Sequence, residues 1–433
     1  MFVRVLTIAV VLALTGCEKA SHENLDKWLK TESGPGKIKK AFLDPDVDPD
    51  ISAHAAANLV KLQDGSFREG FETMGQARRT QVIEKLAPKL WEMARVNDEN
   101  QIPNGLQIAG KDALVTIRRW ADDTTRQKVD GYLVDWYGVI SYEGRADRGA
   151  YIGCVVMRMV GPPGGKKLMG VVNALIAQPG QEKKKFRIGD ELMLGMAASG
   201  SPEAVKYLLD LARLDRGDPT LGKRATDQLY KAYVDPGGLF DVQTNAPLVP
   251  NVDAIVGLAK DDAQPGNVVD NALALLERVG PPKCLPPLLE MIPQPHKKQF
   301  KFAVAGAALR CGGPKAVTQV VLALPDGGAY WREELTGAIS GEIAKMSPRS
   351  EVLAGLRQLL DAKSTVAKWV AIEALAAMKS KDDVPRIAAL AKSKERLVGY
   401  WGEDSGGKAD PTLGEQAKAL ASQLENGTTK PPK

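Results

Sequence analysis

A chain of 433 residues, 44% hydrophobic and 26% charged, is long enough for a large core or several domains and too apolar to stay disordered. Its formal charge of +5 is too small to mark a nucleic-acid binder. Aromatic side chains make up only 6%, while 42 glycines and 27 prolines are spread along the chain, which suits many short helices separated by frequent turns.

The first element is an apolar run from Val5 to Leu14, preceded by the single cation Arg4. It is shorter than the roughly 20 apolar residues a membrane-spanning helix needs, and no later stretch reaches that length. The run ends in Leu14-Thr15-Gly16-Cys17, which resembles the lipobox of bacterial lipoprotein precursors. The resemblance implies that residues 1–16 are removed as a signal peptide and that Cys17 becomes an acylated first residue holding the chain to a membrane. Loss of Arg4 would take the formal charge from +5 to +4. Glu18 replaces the aspartate that keeps some lipoproteins of this kind in the inner membrane, so the resemblance points to the outer membrane. Periplasmic and surface exposure both stay open.

Residues 17–36 read as a lipidated tether with a half repeat ending at Gly34-Pro35-Gly36. From residue 37 to 425 the pattern is a helical-repeat solenoid. The stretch Ala41-Phe42-Leu43-Asp44-Pro45-Asp46-Val47-Asp48-Pro49-Asp50 runs into the alanine-rich segment Ile51–Leu62. Leucine, an Asp-Pro loop and an alanine-rich helix closing on leucine resemble HEAT repeats of the phycobilisome-lyase-like type. That resemblance implies an all-α solenoid of stacked antiparallel hairpins. The arginine usual near the start of this second helix is replaced by Ser52 and Ala53, which predicts a break in the repeat-to-repeat charge ladder. Residues 66–110 match no repeat.

Further along, Leu276–Lys283 aligns with Ala308–Lys315 at an offset of 32, each joining two amphipathic segments. Comparable turns lie at Gly161-Pro162-Pro163, Gly200-Ser201-Pro202, Asp235-Pro236-Gly237, Ser347-Pro348 and Lys381-Asp382-Asp383, about 32 to 45 residues apart. The spacing Leu353, Leu356, Leu359, Leu360 predicts one helix seam, and Ile372, Leu375, Met378 with alanines between them predicts the next. Residues 235–252 and 399–411 read as loop insertions. A helix is predicted from about Leu413 to Leu424, and residues 426–433 as a frayed tail.

Motifs for chemistry are weak. The aspartates of DPDVDPD lack the sixth-place glycine and twelfth-place glutamate of a calcium loop, and Asp48 or Asp50 with Pro49 fits a helix cap. Gly217–Arg224 imitates a phosphate loop, but Arg224 stands where a Ser or Thr is needed, and no strand precedes it. The three histidines, His22, His54 and His296, form no catalytic or zinc motif. No cofactor, metal or nucleotide is implied, and no nucleic acid.

Cys284 and Cys311 fall near one turn edge of adjacent hairpins. They read either as a disulfide closing about 27 residues, worth about 3–4 kcal/mol, or as two buried thiols. Lys183, Lys184 and Lys185, with Lys297, Lys298 and Lys301, occupy equivalent places near repeat starts. They read as a basic binding ridge or as solvated helix starts, although lysines there oppose the helix dipole. Tyr400 and Trp401 read as a capping fold-back or as a binding anchor. The function these features favour is a non-enzymatic scaffold for an unidentified envelope protein, anchored to the membrane through Cys17. The alternatives are a hydrolase or lyase using groove carboxylates on wall polysaccharide, and a spacer without a partner.

Overall fold

The computed structural model describes residues 18–97, 101–139, 143–146, 148–179, 188–213, 220–293, 301–326, 328–402 and 406–426. Cys17 and the lipobox-like segment lie outside them, as do 183–185, 296–298 and the start of the phosphate-loop imitation. The fold is all-α. Among the described residues the extended pairing is a lone bridge between Arg396 and Thr412. The chain divides between Ala204 and Val205 into two compact units.

The first unit begins with α1 (His22–Trp28), capped by Ser21, whose hydroxyl accepts from the Asn24 amide at 3.2 Å. This segment is not a free tether. Leu25 and Trp28 are buried, and α1 packs on α2 (Gly34–Leu43) and α3 (Pro49–Lys61). Burying two such side chains contributes about 1.5–3 kcal/mol each, enough to hold a short helix down. Asp48 caps α3 by accepting from the Asp50 amide at 2.8 Å, and Pro49 opens the helix, where its missing N–H costs nothing. Ala53, Ala55, Ala56 and Ala57 are buried and let α3 lie close to its neighbours.

Residues 66–110 contain α4 (Ser66–Thr73), α5 (Gln76–Ala94) and the start of α6 (Gly105–Arg118). Helix α5 packs on α3 and α6, and α6 on α7 (Asp123–Tyr137). Arg78 of α5 donates to the carbonyls of Asp44, Pro45 and Val47 at 2.7–2.9 Å and to the buried Ser52 hydroxyl at 2.9 Å. An arginine of α5 thus gathers the Asp-Pro loop. The unit continues through α8 (Gly153–Val160), α9 (Pro162–Ile176) and α10 (Asp190–Ala198), with α8 and α9 both packed on α10. Helix α11 (Pro202–Ala212) crosses the division.

The second unit is a regular two-row stack. One row contains α12 (Leu221–Tyr233), α14 (Gly266–Val279), α16 (Lys301–Gly312), α18 (Arg332–Leu335) with α19 (Gly341–Lys345), α21 (Thr365–Ala377) and α23 (Leu413–Asn426). Each member packs on the next, and a π-helical segment, Thr336–Ser340, joins α18 to α19 and makes the contact to α16 and α21. The other row contains α13 (Val252–Ala259), α15 (Leu285–Met291), α17 (Val317–Leu322), α20 (Arg349–Leu360) and α22 (Val384–Ala389). Helix α13 packs on α14, α15 on α16, α20 on α21 and α22 on α23.

Turns between rows use glycines in left-handed backbone. Gly280 (φ 80) ends α14 and Gly313 (φ 62) follows α16, so the structural period is 33, not the 32 of the aligned letters. The α21 seam is as predicted, with Ile372, Leu375 and Met378 buried, whereas in α20 Val352 enters the core and Leu353 stays half-buried. Helix α23 runs through Asn426, two residues past its predicted end, and takes up the first residue assigned to the tail.

Candidate functional site

A concave surface of the second unit lies between α13 and α15. The insertion over 235–252 leads into it through a 3-10 turn, Val249–Asn251, which sets Val249 and Pro250 at the mouth. Val252 and Val256, one helical turn apart, share a face of α13, with Pro286 and Pro287 of α15 opposite. These walls enclose a groove of about 580 Å³. All six side chains are half-buried or exposed. Lys260 and Glu290 pair at 3.3 Å at one end, while Asp253 and Lys283 line the rim. Pro286 and Pro287 remove two first-turn N–H donors from α15, so this wall presents apolar surface and not an anion site.

The disulfide stands behind the same wall. Cys284 caps α15 and is bonded to Cys311 in the last turn of α16, with Cα atoms 6.3 Å apart and 27 residues between them. The bond ties the proline-bearing start of α15 to the neighbouring row. Cys154 is a buried free cysteine.

Of the basic residues singled out by sequence, Lys183, Lys184, Lys185, Lys297 and Lys298 lie outside the described residues. Lys301 opens α16, and nothing is described of its side chain. Tyr400 is not a surface anchor. It is 4% exposed, stacks on Trp369 at 5.5 Å and donates to Gln416 Oε1 at 2.9 Å. Burial pushes its phenol up to about 12. The aromatic pair folds back over the last hairpin because α21 offers Trp369 as a partner for an otherwise solvent-facing ring. Trp401 is half-buried, donates to the Ala409 carbonyl at 3.1 Å and lies under Lys408.

Sequence reasoning missed a histidine pair in the first unit. His22 of α1 and His54 of α3 bring their Nδ1 atoms to 2.8 Å. His54 Nε2 reaches Asp26 at 3.0 Å, and His22 Nε2 reaches Asp50 at 3.2 Å. Lys89 closes the chain on Asp50 at 3.2 Å. Burial pushes the His54 imidazole below its ordinary value, outweighing the pull of Asp26. Burial works to raise the Asp50 carboxyl, yet the Lys89 hydrogen bond and charge hold it low. The available signal was the separation of 32 residues, the offset at which Leu276–Lys283 aligns with Ala308–Lys315.

Among the described residues the buried carboxylates are Glu373 and Asp383. Glu373 accepts from Arg332 Nε at 2.9 Å, Gln416 Nε2 at 2.7 Å and Trp369 Nε1 at 3.3 Å. Asp383 accepts from Arg357 at 2.7 Å and Ser380 at 2.7 Å, and although burial works to raise its carboxyl, these partners hold it low. Each acid is matched to an arginine. Among the described residues no group of three or more His, Cys, Asp or Glu side chains is placed to hold a metal ion, and no helix is long and apolar enough to cross a membrane.

No family model matches the chain, and no curated protein matches it. Solved structures that match include human deoxyhypusine hydroxylase in complex with glycerol, at 13% identity, covering 80% of this chain and 98% of that one with a TM-score of 0.21. At that TM-score the likeness carries no argument about activity.

Proposed function

We propose that this protein is a helical-repeat scaffold of a bacterial envelope, held to a membrane, the outer one in this reading, by acylated Cys17, and that the groove between α13 and α15 docks an amphipathic segment of another envelope protein. The observation that carries the reading is the groove itself, where Val249, Val252, Val256 and Pro287 lie beside the charged Asp253 and Lys283. A segment with an apolar stripe flanked by charges of both signs complements it. The disulfide behind α15 pre-organises the wall, which reduces the entropy lost on binding. A polysaccharide hydrolase needs carboxylates free to face one substrate, and the arginine partners of Glu373 and Asp383 weigh against that alternative.

Photocrosslinking in cells tests the reading. A photoreactive residue at Val252 is expected to capture one discrete envelope protein through an amphipathic segment, and V256E is expected to abolish the product. A photoreactive residue at exposed Ser350 serves as the control. The same products from both positions, or none from Val252, would overturn the scaffold reading. The anchor is checked separately, because C17S is expected to move the chain from the membrane fraction to the soluble fraction.

A further inference from the structure

A second concave surface, in the first unit, has the opposite chemistry. It is an open cleft of about 420 Å³ lined by Gln76, Arg79, Arg119, Trp120, Asp122 and Arg126. Its three guanidiniums come from three successive helical segments: Arg79 from the first turn of α5, Arg119 just past the end of α6 and Arg126 from the first turn of α7. Each is held by its own hydrogen bonds. Arg79 donates through Nε and Nη2 to the Met74 carbonyl at 3.2 and 2.7 Å. Arg126 donates through Nη2 to the Ala121 carbonyl at 2.6 Å and through Nη1 to Asp123 at 3.1 Å. Arg119 lies with its guanidinium carbon 3.7 Å from the centroid of the Trp120 ring and gives Nη2 to Glu72 at 3.0 Å. Trp120 is itself stacked on buried Phe71 at 5.7 Å. The indole therefore serves as a rigid bed for a cation, not as a free platform for an aromatic ligand.

The arginines point to one class of occupant. Planar guanidinium forks match carboxylates. Their spread over three segments suits several separate anionic groups better than one compact ion. The helix N-terminus at the cleft, which could otherwise cradle a phosphate, is already occupied. Asp122 accepts from the Thr125 amide at 2.7 Å there, which lowers its own carboxyl. We infer that this cleft binds an acidic peptide segment of a partner protein, with glutamate or aspartate side chains paired to Arg79, Arg119 and Arg126.

The probe is a fluorescein-labelled hexaglutamate peptide, titrated by anisotropy against the full chain in detergent micelles. R119E is expected to weaken binding at least tenfold, and K345E, an equal charge change on exposed Lys345 in the second unit, less than twofold. R79Q provides a second variant, and both cleft variants must keep the parent far-ultraviolet circular dichroism. V256E, in the groove of the second unit, is expected to bind the peptide like the parent, so this inference and the groove reading fail independently. Equal weakening by R119E and K345E would reduce the effect to net charge and overturn the proposal. So would displacement of the peptide by inorganic phosphate at equimolar concentration. Arginine-dependent binding to phosphatidylglycerol vesicles without binding to the peptide would overturn it in favour of a lipid surface.

Discussion

The cleft at Trp120 and the groove at Val252 are made by the same device, the junction between neighbouring α-helices, yet they present opposite chemistry. In the groove, Pro286 and Pro287 remove amide donors, and three valines supply apolar lining. In the cleft, arginines return to backbone carbonyls at helix ends and leave cationic edges toward solvent. Repeat packing constrains the buried seam and leaves the junction residues unconstrained by stability, so recognition can diverge from one unit to the other while the architecture holds.

That contrast can be sharpened by perturbing the two units one at a time. The largest effect is expected from E373A, which strands the half-buried Arg332 and leaves buried Trp369 Nε1 and Gln416 Nε2 without their acceptor, at a cost of about 3–5 kcal/mol. Urea unfolding followed by hydrogen exchange should place the loss in the second unit and leave protection in α3 and α5 unchanged. Next comes C311S, expected to cost about 3 kcal/mol through release of the 27-residue loop. Thermal unfolding with and without reductant should show the parent falling to the level of the variant only when reduced.

Acid should affect the first unit at its histidine pair. The two Nδ1 atoms face one another, so full protonation of both rings would set two N–H groups against each other across that contact. The lowered imidazole of His54 means that its folded state binds protons less readily than the unfolded chain. Its contribution is present above pH 6.5 and is lost as pH falls below that value. Partial exposure of His54 limits the effect to roughly 1 kcal/mol. Hydrogen exchange of α1 between pH 7.5 and 5 should rise in the parent and lose its pH dependence in H54Q. The smallest effect is expected from K379G. Lys379 holds φ 54, strained for a side-chain-bearing residue, and glycine should stabilise the end of α21 by about 0.5–1 kcal/mol, measurable by thermal unfolding.

Much of the architecture was legible in short-range pattern. Asp48 and Pro49 read as a helix cap and serve as one, and the Ile372–Leu375–Met378 seam is buried as its spacing requires. Cys284 and Cys311 were placed on one turn edge by the repeat alignment, and the structure bonds them. The sites were less legible. Arg310 and Glu277, 33 residues apart, pair at 2.6 Å, and Arg78 reaches the Pro45 carbonyl across the same interval. The 32-residue offset of the aligned turns would have joined His22 to His54 had it been applied to polar residues as well as to leucines. Tyr400 was ambiguous because nothing near it in sequence offered a core, whereas Trp369, its stacking partner, lies 31 residues earlier.

By itself, the amino-acid order determined an all-helical chain of hairpins, because helical periodicity, caps and turn glycines act within a few residues of one another. Only the tertiary structure decided that α1 is folded down, that the chain forms two compact units, and that Arg79, Arg119 and Arg126 share one cleft. Those outcomes depend on which side chains meet after helices pack, and helix-to-helix contact is set by distances that linear spacing encodes only one repeat at a time.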